Sequence, residues 1–249
     1  MQFASIVAGV TGLTFFACKP NDGASSTAAG ASQAALPSRE TVTESSVPPA
    51  PGASVGGSSE AQAGNRRRVV INDVDLTGVG YDRGSPDAPI VMVDFSDFGC
   101  PYCGRHARET QPALDKEFVA PGKVFYKYVP FVMGMFPNGD LAARAAECAA
   151  DQGRFWEMHD AIYADQQAWK RGSEPVSVFK RYAVATGMNA TQFDACYKED
   201  RGAARTRRAN EAAGRLGIRA TPTFFVDGRA IEGALPLEQF RSVFLGIAQ

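Results

Sequence analysis

Cys100-Pro101-Tyr102-Cys103 constrains this chain more than any other stretch. It follows Ile90-Val91-Met92-Val93-Asp94-Phe95, an apolar run that reads as a buried strand. It precedes Arg105 to Phe118, which reads as a helix with a break at Pro112. Two cysteines at a strand-to-helix junction point to dithiol redox chemistry. Proline suits a first helical position, because its missing N–H would have no partner there. Cys100 then falls at the N-cap, facing free backbone N–H groups and the positive end of the helix dipole. A thiolate is stabilised there, so the pKa of Cys100 is expected below the ~8.5 of a free thiol. Cys103 lies one turn further in, placed to close a disulfide and to stay protonated. A bare C-x-x-C also suits a structural disulfide or half a zinc site. The strand before it and the proline inside it favour the redox reading.

A second signal is Ala220-Thr221-Pro222-Thr223-Phe224-Phe225-Val226-Asp227-Gly228. It reads as a loop, a proline and a strand that ends in an Asp-Gly hairpin turn. By itself this proline is an ordinary trans residue at a strand start. Taken together, Val93-Asp94-Phe95-Ser96-Asp97-Phe98-Gly99-Cys100-Pro101-Tyr102-Cys103 and Thr221-Pro222-Thr223-Phe224-Phe225 resemble the DsbA-like branch of the thioredoxin superfamily. The resemblance covers roughly residues 70 to 247. It implies an α/β thioredoxin fold: a central mixed sheet flanked by helices, with a helical insertion over about 138–216. It also implies a cis-proline at Pro222 packed against the active-site sulfurs, and thiol–disulfide exchange outside the cytoplasm. The dipeptide is Pro-Tyr, where the best-known oxidase of the family has Pro-His. Pro-Tyr also occurs in glutaredoxins and in a DsbG-type protein, so the direction of electron flow stays open.

The chain is long enough for one large or two small domains, and its net charge of −1 gives no pointer to nucleic acid. Residues 1–17 are apolar, too short for a transmembrane helix of ~20 residues, and suit a signal-peptide core. Phe15-Phe16-Ala17-Cys18 resembles a lipobox, which makes Cys18 a lipidation site that anchors the protein to a membrane. Plain secretion or an uncleaved anchor are the alternatives. Residues 18–66 are rich in Ala, Ser, Gly and Pro and cannot bury enough surface to order themselves. They read as a tether; about 45 such residues span about 35–40 Å. Residues 67–249 are the expected catalytic domain. Within it, Val69 to Leu76 reads as a first strand, Lys123 to Phe131 as the strand after the active-site helix, and Leu237 to Ile247 as the last helix.

Other residues bear on the chemistry. Asp94 lies six residues before Cys100; the resemblance places such an acid beneath the active site, relaying protons to the inner cysteine. A buried carboxylate has a raised pKa, suited to proton transfer near neutrality. Lys127 is either its partner or a solvent-facing strand lysine. Asp97 reads as a loop residue, His106 as a surface histidine and His159 as core. Pro101, Tyr102 and Thr221 are the expected substrate-binding residues, with Thr221 pairing through its backbone. Cys148 and Cys196 fall in two different helical segments and read as a structural disulfide, with two buried free thiols as the alternative. Asn189-Ala190-Thr191 reads as a helix start.

The expected function is that of a periplasmic or cell-surface enzyme, a monomer, that exchanges disulfides through Cys100 and Cys103, most readily as an oxidase. Its partners are cysteine-containing substrate proteins, a membrane redox partner that recycles the site, and the membrane itself through Cys18. No cofactor and no resident metal are implied. A reductase or isomerase of DsbG type, a copper or zinc carrier using Cys100 and Cys103, and a binding domain with a structural C-x-x-C are the competing readings.

Overall fold

The computed structural model describes residues 67–247. The expected signal peptide, Cys18 and the tether up to residue 66 lie outside the described residues. The chain is organised by β4 (Ile90–Ser96), whose continuous apolar run is explained by burial on both faces of a sheet. On one side it pairs in parallel with β5 (Val124–Pro130), in the register Met92 to Tyr126, Val93 to Lys127 and Asp94 to Tyr128. A parallel pair needs a crossover. The helical run from Pro101 to Val119 provides it.

That run does not break at Pro112. It comprises α1 (Pro101–Arg105), a π-helical turn over His106–Thr110, α2 (Gln111–Leu114) and a second π turn over Asp115–Val119. A proline inside an α-helix lacks an N–H and clashes with the carbonyl four residues back. The wider turn ahead of Pro112 moves that carbonyl aside, so the helix widens and continues.

On its other side β4 pairs antiparallel with β6 (Thr223–Val226), which pairs with β7 (Arg229–Glu232). Asp227 and Gly228 turn the hairpin with φ of 45° and 80°, the left-handed backbone a two-residue hairpin requires. β3 (Tyr81–Arg83) joins the outer edge of β5, giving the order β3-β5-β4-β6-β7. The stretch Val69 to Leu76, expected as one strand, is instead a small hairpin. Its β1 (Val70–Ile71) and β2 (Val74–Asp75) are joined by Asn72 and Asp73, both with positive φ. These two residue types tolerate that conformation, so a turn replaces the strand centre.

Side chains alternate across the sheet. Met92, Tyr126, Tyr128, Phe224 and Val226 face one core, shared with the crossover helix, the inserted helices and the last helix. Val93, Phe95, Phe125, Val129 and Phe225 face the other, under the β1–β2 hairpin and the small residues Ala209, Ala212 and Ala213. Those alanines belong to α8 (Ala203–Arg215), the end of an insertion between β5 and β6. The other inserted helices are α3 (Gly139–Ala150), α4 (Phe155–Ala164), α5 (Gln166–Lys170), α6 (Pro175–Ala185) and α7 (Ala190–Glu199). Asn189 caps α7, accepting from the Gln192 amide at 3.0 Å. A disulfide between Cys148 and Cys196 ties α3 to α7. The chain closes on α9 (Leu237–Ile247), which buries Phe240 and Phe244. This is the expected thioredoxin fold with its helical insertion.

Candidate active site

Cys100 is the N-cap of α1, in extended backbone, with Pro101 at the first helical position. The turn that presents it is closed from both ends: its amide donates to the Asp97 carbonyl at 3.0 Å, and its carbonyl accepts from the Gly104 amide at 3.1 Å. Cys100 and Cys103 are both buried and free. A hydrogen bond from the Cys103 thiol is the largest influence on Cys100. With the Thr221 side chain and the Cys103 and Tyr102 amides, and against burial, it lowers the Cys100 pKa to about 6. Burial pushes the Cys103 thiol far the other way, with the hydrogen bond and charge of Cys100 and the charge of Asp94 adding to it. One sulfur is thus an anion at neutral pH and its neighbour a thiol.

The Cys100 sulfur lies 3.2 Å from the carbonyl oxygen of Thr221, and the Thr221–Pro222 peptide bond is cis. These residues come from the start of β6, beside β4, so the sheet brings the two sequence signals together across 121 positions. Tyr102 points outward, 57 % exposed, and Pro101 beside it is exposed too. They form the outer rim of the site.

Asp94 lies in the floor. Its carboxylate accepts from the Ser96 hydroxyl at 2.5 Å and from the Tyr126 hydroxyl at 2.7 Å. Burial raises its pKa to about 7, against those two hydrogen bonds and with help from the charge on Cys100. Ser96 also acts on Cys103, in favour of its charged form, so the acid and the inner sulfur share a neighbour. Lys127 is neither solvent-facing nor a partner of Asp94. It sits opposite Val93 in the parallel register, on the other face of the sheet, where it is 1 % exposed and paired with Asp82 and the Val79 carbonyl. The pleat decides this, since adjacent strand positions point to opposite faces.

His106 is not on the surface either. It follows Cys103 by three positions, on the same inward face of the helix. Its ring packs 4.6 Å from Phe224 and 5.6 Å from Phe240, centroid to centroid. Burial lowers its pKa to about 3, which keeps it neutral. His159 is buried with Nδ1 against Asp160 at 2.8 Å.

Three residues near the sulfurs carry no expectation from the sequence as site groups. Ser96 is one. Gln166, 66 positions beyond Cys100, reaches back from α5 so that its side-chain amide donates to the Phe98 and Cys100 carbonyls at 2.7 and 2.9 Å. No local pattern reveals that contact. Asp97 is in a loop but only 2 % exposed, and accepts from the Gly99 amide at 2.8 Å. Asp-x-Gly, with the side chain bonding two residues on, is a turn signal that sequence reading can use. Among the described residues no group of three or more His, Cys, Asp or Glu side chains is placed to hold a metal ion, and no helix is long and apolar enough to cross a membrane.

A family model described as thioredoxin matches residues 77–244. Solved structures show the same fold. The chain resembles α-DsbA1 of Wolbachia pipientis with a TM-score of 0.60 and 21 % identity, over 67 % of this chain and 89 % of that one. It resembles BdbD of Bacillus subtilis with 0.61 and 22 %, over 67 % and 91 %. A thioredoxin-like oxidoreductase from Silicibacter pomeroyi gives 0.56 and 25 %, over 68 % and 91 %. Curated relatives include the Na(+)/H(+) antiporter NhaA 3 of Salinispora tropica, 36 % identical over 158 residues, which are 63 % of this chain and 23 % of that protein. The NhaA antiporter of Herminiimonas arsenicoxydans is 33 % identical over 156 residues, 63 % of this chain and 24 % of that protein. The chain therefore spans about a quarter of the length of these antiporters, and antiport is a property of those whole proteins. With the family model covering 77–244 the chain belongs to the thioredoxin family, and its fold is the one seen in the DsbA structures.

Proposed function

We propose that this protein is an extracytoplasmic thiol–disulfide oxidoreductase that forms disulfides in other proteins through Cys100 and Cys103. The observation that carries the reading is the placement of the two sulfurs: Cys100 caps α1 with its sulfur 3.2 Å from the carbonyl ahead of cis-Pro222, beside buried Cys103, a setting that lowers the Cys100 pKa to about 6 and raises that of Cys103. In the oxidised enzyme a substrate thiolate attacks Cys100, forming a mixed disulfide and breaking the Cys100–Cys103 bond. Cys103 leaves and takes a proton, for which the buried Asp94 carboxyl is the source. A second substrate thiolate then attacks the substrate sulfur of the mixed disulfide. Cys100 leaves as a thiolate, and the substrate carries the new disulfide. A well-stabilised leaving group favours the reduced enzyme and makes its disulfide oxidising.

Thr221 offers backbone groups beside the sulfur to an extended substrate, with Pro101, Tyr102 and Pro222 around it. Two electrons per cycle leave through a membrane partner that re-forms the Cys100–Cys103 disulfide. Cys18 carries lipid, and residues 18–66 let the head reach its substrates. Replacing Cys18 by alanine is expected to release the protein from membranes, read by fractionation.

The reduction potential of the Cys100/Cys103 pair tests the direction of flow. A value near about −120 mV supports the oxidase, whereas one near about −270 mV makes the protein a reductase.

A further inference from the structure

Asp97 is the acid beside the cysteines to which the exchange mechanism gives no part. We propose that Asp97 is a positioning residue: its carboxylate fastens the turn presenting Cys100 to the loop carrying Met133, and it loosens that loop on gaining a proton. The inference rests on the exchange reaction proposed above. The two carboxylate oxygens serve two different segments. One accepts from the Gly99 amide at 2.8 Å, within the Cys100 turn. The other accepts from the Met133 amide at 2.8 Å, between β5 and α3. The junction is tight. A Cβ on Gly99 would lie 2.5 Å from the Phe136 Cβ, and one on Gly139 would lie 2.6 Å from the Asp97 carboxylate.

The Met133 loop reaches the chemistry through Thr221. The Thr221 hydroxyl lies 3.5 Å from the Met133 sulfur, and the Thr221 carbonyl lies 3.2 Å from the Cys100 sulfur. Fixing Met133 therefore fixes one side of the edge offered to substrate.

An ionised carboxylate accepts from both amides. A protonated one keeps a single carbonyl oxygen as a good acceptor. Three ionisable groups face it. Cys100 raises its proton affinity as a thiolate, Lys170 of α5 lowers it, and Tyr128 is an uncharged phenol at these pH values. Burial is the largest influence and lifts Asp97 to about 6. Oxidation of two substrate thiols frees two protons. One ends on Cys103, and the other goes to solvent or to Asp97. The oxidised enzyme has no thiolate, so Asp97 is ionised and the loop is held. The reduced enzyme has one, which adds to burial in lifting the Asp97 midpoint to about 6, so its loop is held at neutral pH and loosens as pH falls through that value.

The test is a carboxyl carbon NMR titration of Asp97 in the oxidised and in the reduced wild-type protein, with exchange of the Met133 amide followed alongside. The Asp97 midpoint is expected higher in the reduced form, and Met133 protection is expected to fall as Asp97 is protonated. In parallel, KM for a dithiol peptide, which binds the oxidised enzyme, is expected to rise in the wild type as pH falls through the Asp97 midpoint of that form, below about 6. In Asp97→Asn it is expected to be raised roughly tenfold above pH 7, the loss of one charge-assisted hydrogen bond, and to be flat with pH. The change in kcat is expected to be far smaller. Equal Asp97 midpoints in the two redox forms would overturn the inference, as would an Asp97→Asn enzyme with the wild-type KM profile. The NMR arm needs no variant and decides even if Asp97→Asn fails to fold. A wild-type protein without exchange activity would instead remove the proposed function.

Discussion

Two cysteine pairs share this chain, and their settings make them opposites. Cys100 and Cys103 open a helix, both free, with backbone amides directed at the outer sulfur. Cys148 and Cys196 stand 48 positions apart, already joined, inside the alanine packing of α3 against α7. The first pair is surrounded by groups that respond to charge: Asp94, Asp97, Ser96 and the Thr221 hydroxyl. The second closes a long loop and restricts the unfolded chain. Reactivity in this protein is therefore a property of the dipoles and acids around a sulfur, since the side chain itself is the same in both places.

The largest expected effect separates the pairs outright. Cys100→Ser is expected to abolish peptide oxidation. The double replacement Cys148→Ser, Cys196→Ser is expected to keep it, while lowering stability by about 2–4 kcal/mol in denaturant unfolding. Exchange that survives without Cys100 would erase the distinction between the two sites.

Next in size is the proton. Asp94→Asn is expected to slow formation of the mixed disulfide, the step in which Cys103 takes its proton, about a hundredfold at neutral pH, the usual scale of general acid–base catalysis. Stopped-flow fluorescence measures it. The wild-type rate is expected to bend near the Asp94 pKa of about 7, and the variant's not to bend. Matching profiles would remove Asp94 from the mechanism and leave Cys103 to exchange protons with solvent.

A further effect appears in stability. The Cys100 pKa is lowered from 9.0 to about 6, so the thiolate stabilises the folded reduced protein increasingly from pH 6 to 9. That contribution is lost as pH falls through about 6. The disulfide form has no such group. Reduced minus oxidised stability is therefore expected to rise with pH across that window. Asp94 has its pKa raised instead, so its contribution fades as pH climbs towards about 7. It titrates in both redox forms and largely drops out of the difference. Thermal unfolding of the two forms at several pH values measures this, and a flat difference would mean that Cys100 is not held ionised.

The smallest effect is the one that only the insertion creates. Gln166→Ala is expected to raise the Cys100 midpoint, read by thiolate absorbance, by at most about one pKa unit, because a single positioning hydrogen bond is worth about 0.5–1.5 kcal/mol. No change would show that the turn stands on its own Asp97 and Gly104 bonds.

Much of the frame was legible beforehand because it rests on local rules. The apolar run of β4, proline at a helix start, the Asp-Gly hairpin and the helical spacing of Leu237 to Ile247 are each written within a few residues. Two of the misreadings share one cause: facing. Lys127 was expected in solvent or beside Asp94, and strand parity turned it to the opposite core. His106 was expected outside, and helical spacing from Cys103 turned it inward between two phenylalanines. Pro112 was expected to break a helix, and a π turn carried the chain past it.

The amino-acid order alone determined that a thiolate could be stabilised at Cys100, because Cys103 and the helix-start amides of Tyr102 and Cys103 lie within three residues of it. Which acids, hydroxyls and amides converge on that sulfur was decided only in three dimensions. Thr221, Gln166 and Met133 come from segments 33 to 121 positions away, and no short-range pattern encodes which of them will meet. Their meeting follows from the packing of β6, α5 and the β5–α3 loop around β4, where burial turns ordinary polar side chains into strong ones.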